Sequence, residues 1–85
     1  MEIIYSGQFA RKYKKLPIEV KISAEKKEDI FRVDAFDARL KTHKLHGRLD
    51  EFWAFSINND YRIIFEFGEG DLVYFHMIGT HDIYE

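Results

Sequence analysis

Four histidines and one arginine are the residues of this chain best suited to chemistry. His43 and His46 bracket Lys44-Leu45 just before Gly47, and His81 follows Gly79-Thr80. An imidazole with an ordinary pKa of about 6.5 takes up and releases a proton near neutrality. Each well-placed proton-transfer group accelerates a reaction by a factor of about 10² to 10⁴. Arg62 adds a planar, permanent cation whose geometry matches phosphate. A base to remove the 2′-OH proton, an acid for the departing 5′-oxygen and a cation for the phosphoryl oxygens are what RNA cleavage without a metal needs. His76, opposite in phase to Phe75 and Met77, reads as a structural or surface histidine.

Other chemistries find less support. His43-x-x-His46 with His81 and Asp60 has ligand types that zinc accepts. The helical His-Glu-x-x-His pattern is absent, however, and the run holding the pair is positively charged, so no metal is expected. The absence of cysteine excludes disulfides, thiolate zinc sites and a cysteine nucleophile. Gly68-Glu69-Gly70 lacks the spacing and the following helix of a phosphate loop. No serine has a nucleophile setting, and no cofactor is expected.

The net charge of −2 conceals an asymmetry. Residues 1–50 hold twelve Lys/Arg against eight Asp/Glu, whereas residues 51–85 hold one against seven. Two stretches contain no acid at all. Ile3 to Ile18 carries Arg11, Lys12, Lys14 and Lys15; Ala38 to Leu49 carries Arg39, Lys41, Lys44 and Arg48 around His43 and His46. Such patches hold phosphates locally even on a nearly neutral protein, because screening confines charge effects to about 8–10 Å.

These residues need elements to position them. Eighty-five residues, 46% hydrophobic and 16% aromatic, are expected to form one domain, 1–85. Glu2 to Ser6 reads as a strand. Phe9, Tyr13 and Leu16 recur at helical spacing as far as Pro17, which opens a second helix through Ile18, Ile22, Ile30 and Val33. From Leu40 the period becomes alternating. Phe52 to Ile57 is a strand closed by Asn58-Asn59. Tyr61 to Phe67 follows, with Arg62, Ile64 and Glu66 on the face away from its aromatics. Gly68 to Asp71 makes a hairpin connection, and Leu72 to Ile78 is the last strand, with Val73, Phe75 and Met77 on one face and Gly79 ending it. The expected fold is α+β, order β-α-α-β-β-β: an antiparallel sheet with two helices on one face and the other face, with Arg62, partly bare. No secretory signal and no bilayer-length apolar run is present, so a soluble, cytoplasmic protein is expected.

The stretches Lys41-Thr42-His43-Lys44-Leu45-His46-Gly47, Phe52-Trp53-Ala54-Phe55-Ser56-Ile57, Asp60-Tyr61-Arg62-Ile63-Ile64-Phe65 and Ile78-Gly79-Thr80-His81-Asp82 together resemble the RelE/ParE toxin superfamily. The Lys-Leu-x-Gly and Asp-Tyr-Arg pieces are shared across it, while the Gly-Thr-His ending is most like the YafQ-type (RelE/StbE) branch. The resemblance spans nearly the whole chain. It implies the toxin of a type II toxin–antitoxin pair, a ribosome-dependent mRNA endoribonuclease whose partners are an antitoxin, mRNA and the ribosome. It also implies roles. His43 and His81 match active-site histidines, and Asp60 matches an aspartate before an aromatic. Arg62 matches the arginine aimed at the scissile phosphate, and Tyr84 a C-terminal aromatic near the displaced base. His46 replaces an arginine or glutamine. Lys41, Lys44 and Arg48 are expected to bind RNA.

Two departures narrow the mechanism. The strand Trp53-Ala54-Phe55-Ser56 lacks the two lysines of RelE itself, and Ser56 stands where YafQ-type enzymes have a further histidine. Catalysis then rests on His43, His46 and His81, with either His43 or His46 as the base. The same fold also serves ParE-like inhibitors of DNA gyrase, which are not enzymes, and homologues that only bind an antitoxin. His81 together with Arg62 is the feature that favours the nuclease.

Overall fold

The computed structural model describes residues 1–49 and 51–84, with residue 84 described by its backbone alone. The elements in order are β1 (Glu2–Tyr5), α1 (Gly7–Lys14), α2 (Ile18–Val33), β2 (His43–Lys44), β3 (Trp53–Ser56), β4 (Tyr61–Phe67) and β5 (Leu72–Thr80). Short 3-10 turns occupy Ala38–Leu40, Gly47–Leu49 and His81–Tyr84. The sheet order is β1-β5-β4-β3-β2. Neighbours are antiparallel except β1, which runs parallel to β5. The α+β class and the helix pair are as expected. The sheet is mixed, though, and contains a two-residue strand, β2, too short to leave a periodic signal.

Aromatic packing fixes the helix face of the sheet. Phe31 of α2 is fully buried and stacks on Phe55 at 4.9 Å between ring centroids, meeting Phe65 and Phe75 edge-on at 4.9 and 5.5 Å. Such ring pairs contribute about 0.5–1.5 kcal/mol each beyond the area they bury. Phe31 also decides which side of α2 faces inward. Val20, Ala24 and Phe31 are buried, while Ile18, Ile22 and Val33 are 64%, 48% and 90% exposed. The sequence pattern Ile18, Ile22, Ile30, Val33 therefore names the wrong stripe. The helix rotates to put its largest ring into the aromatic cluster, leaving Ile30 only partly buried at its margin.

Strand β5 departs from simple alternation. Phe65 pairs with Phe75 but Ile64 pairs with Met77, so His76 is an extra residue. Val73, Phe75 and Ile78 consequently face the helices, and Met77 joins Ala54 and Ile64 on the opposite face. The expectation that Met77 shares a face with Phe75 fails here. Gly79 does not end the strand; it pairs with Arg62, and Thr80 with Tyr61. A bulge leaves backbone groups outside the ladder, and Ser6 supplies a partner. Its hydroxyl donates to the His76 carbonyl at 2.8 Å and accepts from the Phe9 amide at 3.0 Å as N-cap of α1.

Opposite the helices the sheet is not bare. Leu45, Ala54 and Ile64 form a second buried cluster, with Leu49, Phe52, Met77 and Ile83 packed on it. Because one hydroxyl serves both cap and bulge, Ser6→Ala should cost about 1–3 kcal/mol in urea unfolding. A loss below about 0.5 kcal/mol would mean that water replaces both bonds.

Candidate active site

The second cluster builds the site. Leu45 and Leu49 bring the basic segment down onto Ala54 and Ile64, while Ile83 brings the C-terminal turn onto the same floor. Two segments distant in sequence, each carrying histidine, are thereby pinned to one face. Gly79 makes the second docking possible: a Cβ there would lie 2.5 Å from Ile83 Cγ2. The glycine of Gly-Thr-His thus gives Ile83 room to cross β5, and it leaves no side chain opposite Arg62.

Asn59, Asp60, Tyr61, Arg62, Thr80, His81 and Asp82 line an open recess of about 570 Å³. Asn58 shapes one wall, its side-chain oxygen accepting the amides of Asp60 and Tyr61 at 2.8 Å each. This Asx turn is what Asn58-Asn59 encodes. Arg62 is half-buried and, among the described residues, makes no salt bridge. A cation held in a recess without a carboxylate partner is suited to an incoming anion. His81 is exposed at the start of the last turn. The sequence reading expected Arg62 opposite residues 75–78 with His81 one or two positions beyond. The bulge moves its partner to Gly79, and His81 then lies two positions farther along.

His43 and His46 lie outside this recess. His43 pairs with Ala54 and Arg62 with Ser56 across β3, which sets their Cα atoms two strand spacings and two residues apart, about 12 Å. Arg62 therefore stands between His43 on one side and His81 on the other. His43 has a defined tautomer: Nδ1 lies 3.0 Å from the Lys41 carbonyl, which can only accept, so Nδ1 carries the proton. The neutral ring keeps Nε2 as a proton acceptor. Lys41 adopts a left-handed conformation, φ 53°, and Thr42 donates to the Ala35 carbonyl at 2.6 Å, which fixes the approach to β2. Asp37 caps the preceding turn through the Arg39 amide, and the Arg39 guanidinium lowers its carboxyl to about 2. That lowered cap is fully formed above its ordinary value of 3.8 and is lost as pH falls through about 2.

His46, Lys41, Lys44 and Arg48 are all exposed along the same segment. The Tyr84 side chain lies outside the described residues. Lys12 and Lys15 were not among the expected site residues. They line an adjoining cleft of about 570 Å³ that shares Tyr61, Thr80 and Asp82 with the recess. Their acid-free run was the available sequence signal. Among the described residues, no three His, Asp or Glu side chains are grouped to hold a metal ion, and no helix is long and apolar enough to cross a membrane.

Solved structures similar to this one include toxins. A YoeB/ParE toxin from Agrobacterium tumefaciens superposes with a TM-score of 0.80 at 14% identity, over 95% of this chain and 99% of that one. The archaeal RelE of a RelE–RelB complex from Pyrococcus horikoshii OT3 gives 0.76 at 16%, over 93% and 92%. A YafQ mutant from E. coli gives 0.69 at 19%, over 98% and 96%. No family model matches the sequence, and no curated protein matches it by sequence. The chain has the fold of these RelE/ParE-type toxins, a five-stranded mixed sheet with two helices on one face.

Gly79→Ala should dislodge Ile83 and disturb His81 while sparing the Phe31 cluster, at a cost of about 1–2 kcal/mol. NMR spectra of the variant should show shifted Ile83 methyl and His81 imidazole resonances. Unchanged signals at both would refute the steric account of the glycine.

Proposed function

We propose that this protein is the toxin of a type II toxin–antitoxin pair and that it cleaves ribosome-bound mRNA without a metal. The observation that carries the reading is Arg62, without a salt bridge among the described residues, in an open recess with Asp60 and His81, flanked across β3 by a histidine whose tautomer leaves Nε2 as acceptor. In this mechanism Arg62 grips the scissile phosphate and stabilises its developing charge. His43 Nε2 takes the 2′-OH proton, the oxygen attacks phosphorus, and His81 protonates the leaving 5′-oxygen. The products are a 2′,3′-cyclic phosphate and a free 5′-OH. Asp60 orients the recess wall and His46 assists in binding. Lys41, Lys44 and Arg48 hold flanking phosphates. A cytoplasmic location follows from the ribosomal substrate.

His81→Ala should lower single-turnover cleavage on programmed ribosomes by about two to four orders of magnitude. Thermal unfolding of the variant should be nearly unchanged, because His81 is exposed. Full activity in the variant would overturn the mechanism. A gyrase inhibitor would instead leave mRNA intact and block supercoiling.

The partner is an antitoxin, a reading supported by the RelE–RelB complex among the similar structures. A groove of about 450 Å³ between Tyr5, Phe9 and Tyr13, edged by Lys14, Glu25 and Glu28, offers apolar surface beside the basic face of α1, while Ile18 and Ile22 stay exposed on α2. An acidic tail that folds on binding suits that surface. Hydrogen exchange should slow across residues 9–33 when the antitoxin binds, and equal exchange with and without it would refute this placement.

A further inference from the structure

His76, set aside as structural in the sequence, belongs to a cluster at the opposite end of the open face from the recess. The bulge turns it onto that face, where its Nε2 lies 3.0 Å from Glu66 Oε1. The carboxylate only accepts, so Nε2 carries the proton. Both side chains remain accessible, 36% and 37% exposed. Phe52 meets the imidazole edge-on at 5.0 Å, bracing the ring from the β3 side. Tyr74, paired across the ladder with Glu66, presents its ring nearly parallel to the imidazole, with centroids 6.3 Å apart and planes 27° from parallel. Gly68 lets Tyr74 lie there, since a Cβ at Gly68 would come 2.6 Å from the tyrosine ring.

We propose that Tyr74 and His76 form a slot for one unpaired nucleobase of the RNA, with Glu66 reading its edge, guanine being preferred. This rests on the nuclease reading above and extends it to a base-selecting subsite. The spacing carries the proposal. A flat base sandwiched between two rings needs a gap of roughly 6.8 Å, twice the 3.4 Å spacing of stacked bases. The ring centroids stand 6.3 Å apart with the planes 27° from parallel, and a small rotation of the half-buried Tyr74 would widen the gap to that of a sandwiched base. Single-stranded RNA is commonly recognised in this way, by stacking on aromatic planes and hydrogen bonds to base edges. Glu66 accepts donors only, and guanine offers two neighbouring N–H groups on its Watson–Crick edge, whereas adenine, cytosine and uracil each offer one donor site there. The carboxylate repels phosphate, so the cluster suits a base and not the backbone. Arg62 and Glu66 are four residues apart on β4, about 13 Å, so the base held is a neighbour of the scissile nucleotide. The basic segment Lys44 to Arg48 covers the floor between them and offers cations along that path.

The test needs neither ribosome nor antitoxin. The full chain is titrated with GMP, AMP, CMP and UMP while the Tyr74 ring and His76 imidazole resonances are followed. GMP should shift both, saturating at roughly millimolar concentration, and bind several-fold more tightly than the others. Glu66→Gln should retain binding and lose the preference for GMP. Tyr74→Phe should bind like the parent, and Tyr74→Ala should weaken binding about tenfold. The unfolding temperature of each variant identifies any that fail to fold, and the phenylalanine variant keeps the comparison valid in that event. If no nucleotide shifts these resonances, or all four shift them equally, the slot is refuted. Nucleotide binding without mRNA cleavage would instead refute the nuclease reading. Cleavage without nucleotide binding would refute the slot alone.

Discussion

A single inserted residue in β5 sets the layout of both faces of the sheet. With His76 bulged, Ile78 faces the aromatic cluster, while Met77 and Gly79 face the other way. An unbroken alternation would bury Met77 against the helices and turn Ile78 outward against Arg62. The bulge persists because its carbonyl has a partner in the Ser6 hydroxyl, which also caps α1. The two roles are geometrically linked. β1 runs parallel to β5 only as far as Phe75, and the chain leaves the sheet into α1 at the point where the bulge frees a carbonyl. Helix initiation and strand phase are thus coupled through one serine.

Two hydrophobic clusters then divide the work. The larger, centred on Phe31, Phe55, Phe65 and Phe75, joins α2 to the sheet. Tyr5 adds a polar tie at its edge, donating to Glu28 at 2.6 Å, and burial together with that carboxylate raises its pKa. The smaller cluster around Leu45, Ala54 and Ile64 has fewer buried residues but holds the segments that carry the candidate site. Leu45 and Leu49 anchor residues that are otherwise basic and exposed, and Ile83 anchors a tail that is otherwise polar. Anchoring of this kind lets exposed histidines occupy defined positions on loops without burying them, and burial would penalise their charged forms. The open recess at Arg62 lies between the Asn58-Asn59 turn and the anchored C-terminal turn.

Similarity to solved toxins at 14–19% identity shows how little of this fold depends on particular side chains. The aromatic core tolerates substitution provided that volume and alternation are kept. Catalytic equipment varies on such a scaffold, and function must be argued from the site. Here the site has an arginine and histidines, while the strand Trp53-Ala54-Phe55-Ser56 carries neither lysine nor histidine. In the proposed mechanism, proton transfer comes from His43 on the edge strand β2 and His81 in the C-terminal turn.

Much of the architecture was legible in the sequence because it is local. The alternation of Tyr61 to Phe67, the Asn58 turn, the helix boundary at Pro17 and the outward direction of Arg62 follow from periods and turn chemistry read over a few residues. The acid-free run around His43 and His46 and the Gly-Thr-His ending marked the segments that carry the candidate site. Long-range packing decided the rest. The inward stripe of α2 depended on where Phe31 could find three other rings, and no helical count reveals that. The phase of β5 depended on a hydroxyl seventy residues away, at Ser6. The parallel pairing of β1 and the existence of β2 depended on neighbours supplied by distant strands. His76 looked structural because its partners are distant in sequence, Glu66 on β4 and Phe52 just before β3. Local propensity fixes which backbone conformations are inexpensive, while the tertiary structure fixes which side chains meet; at this protein's open face, the second constraint determines the chemistry.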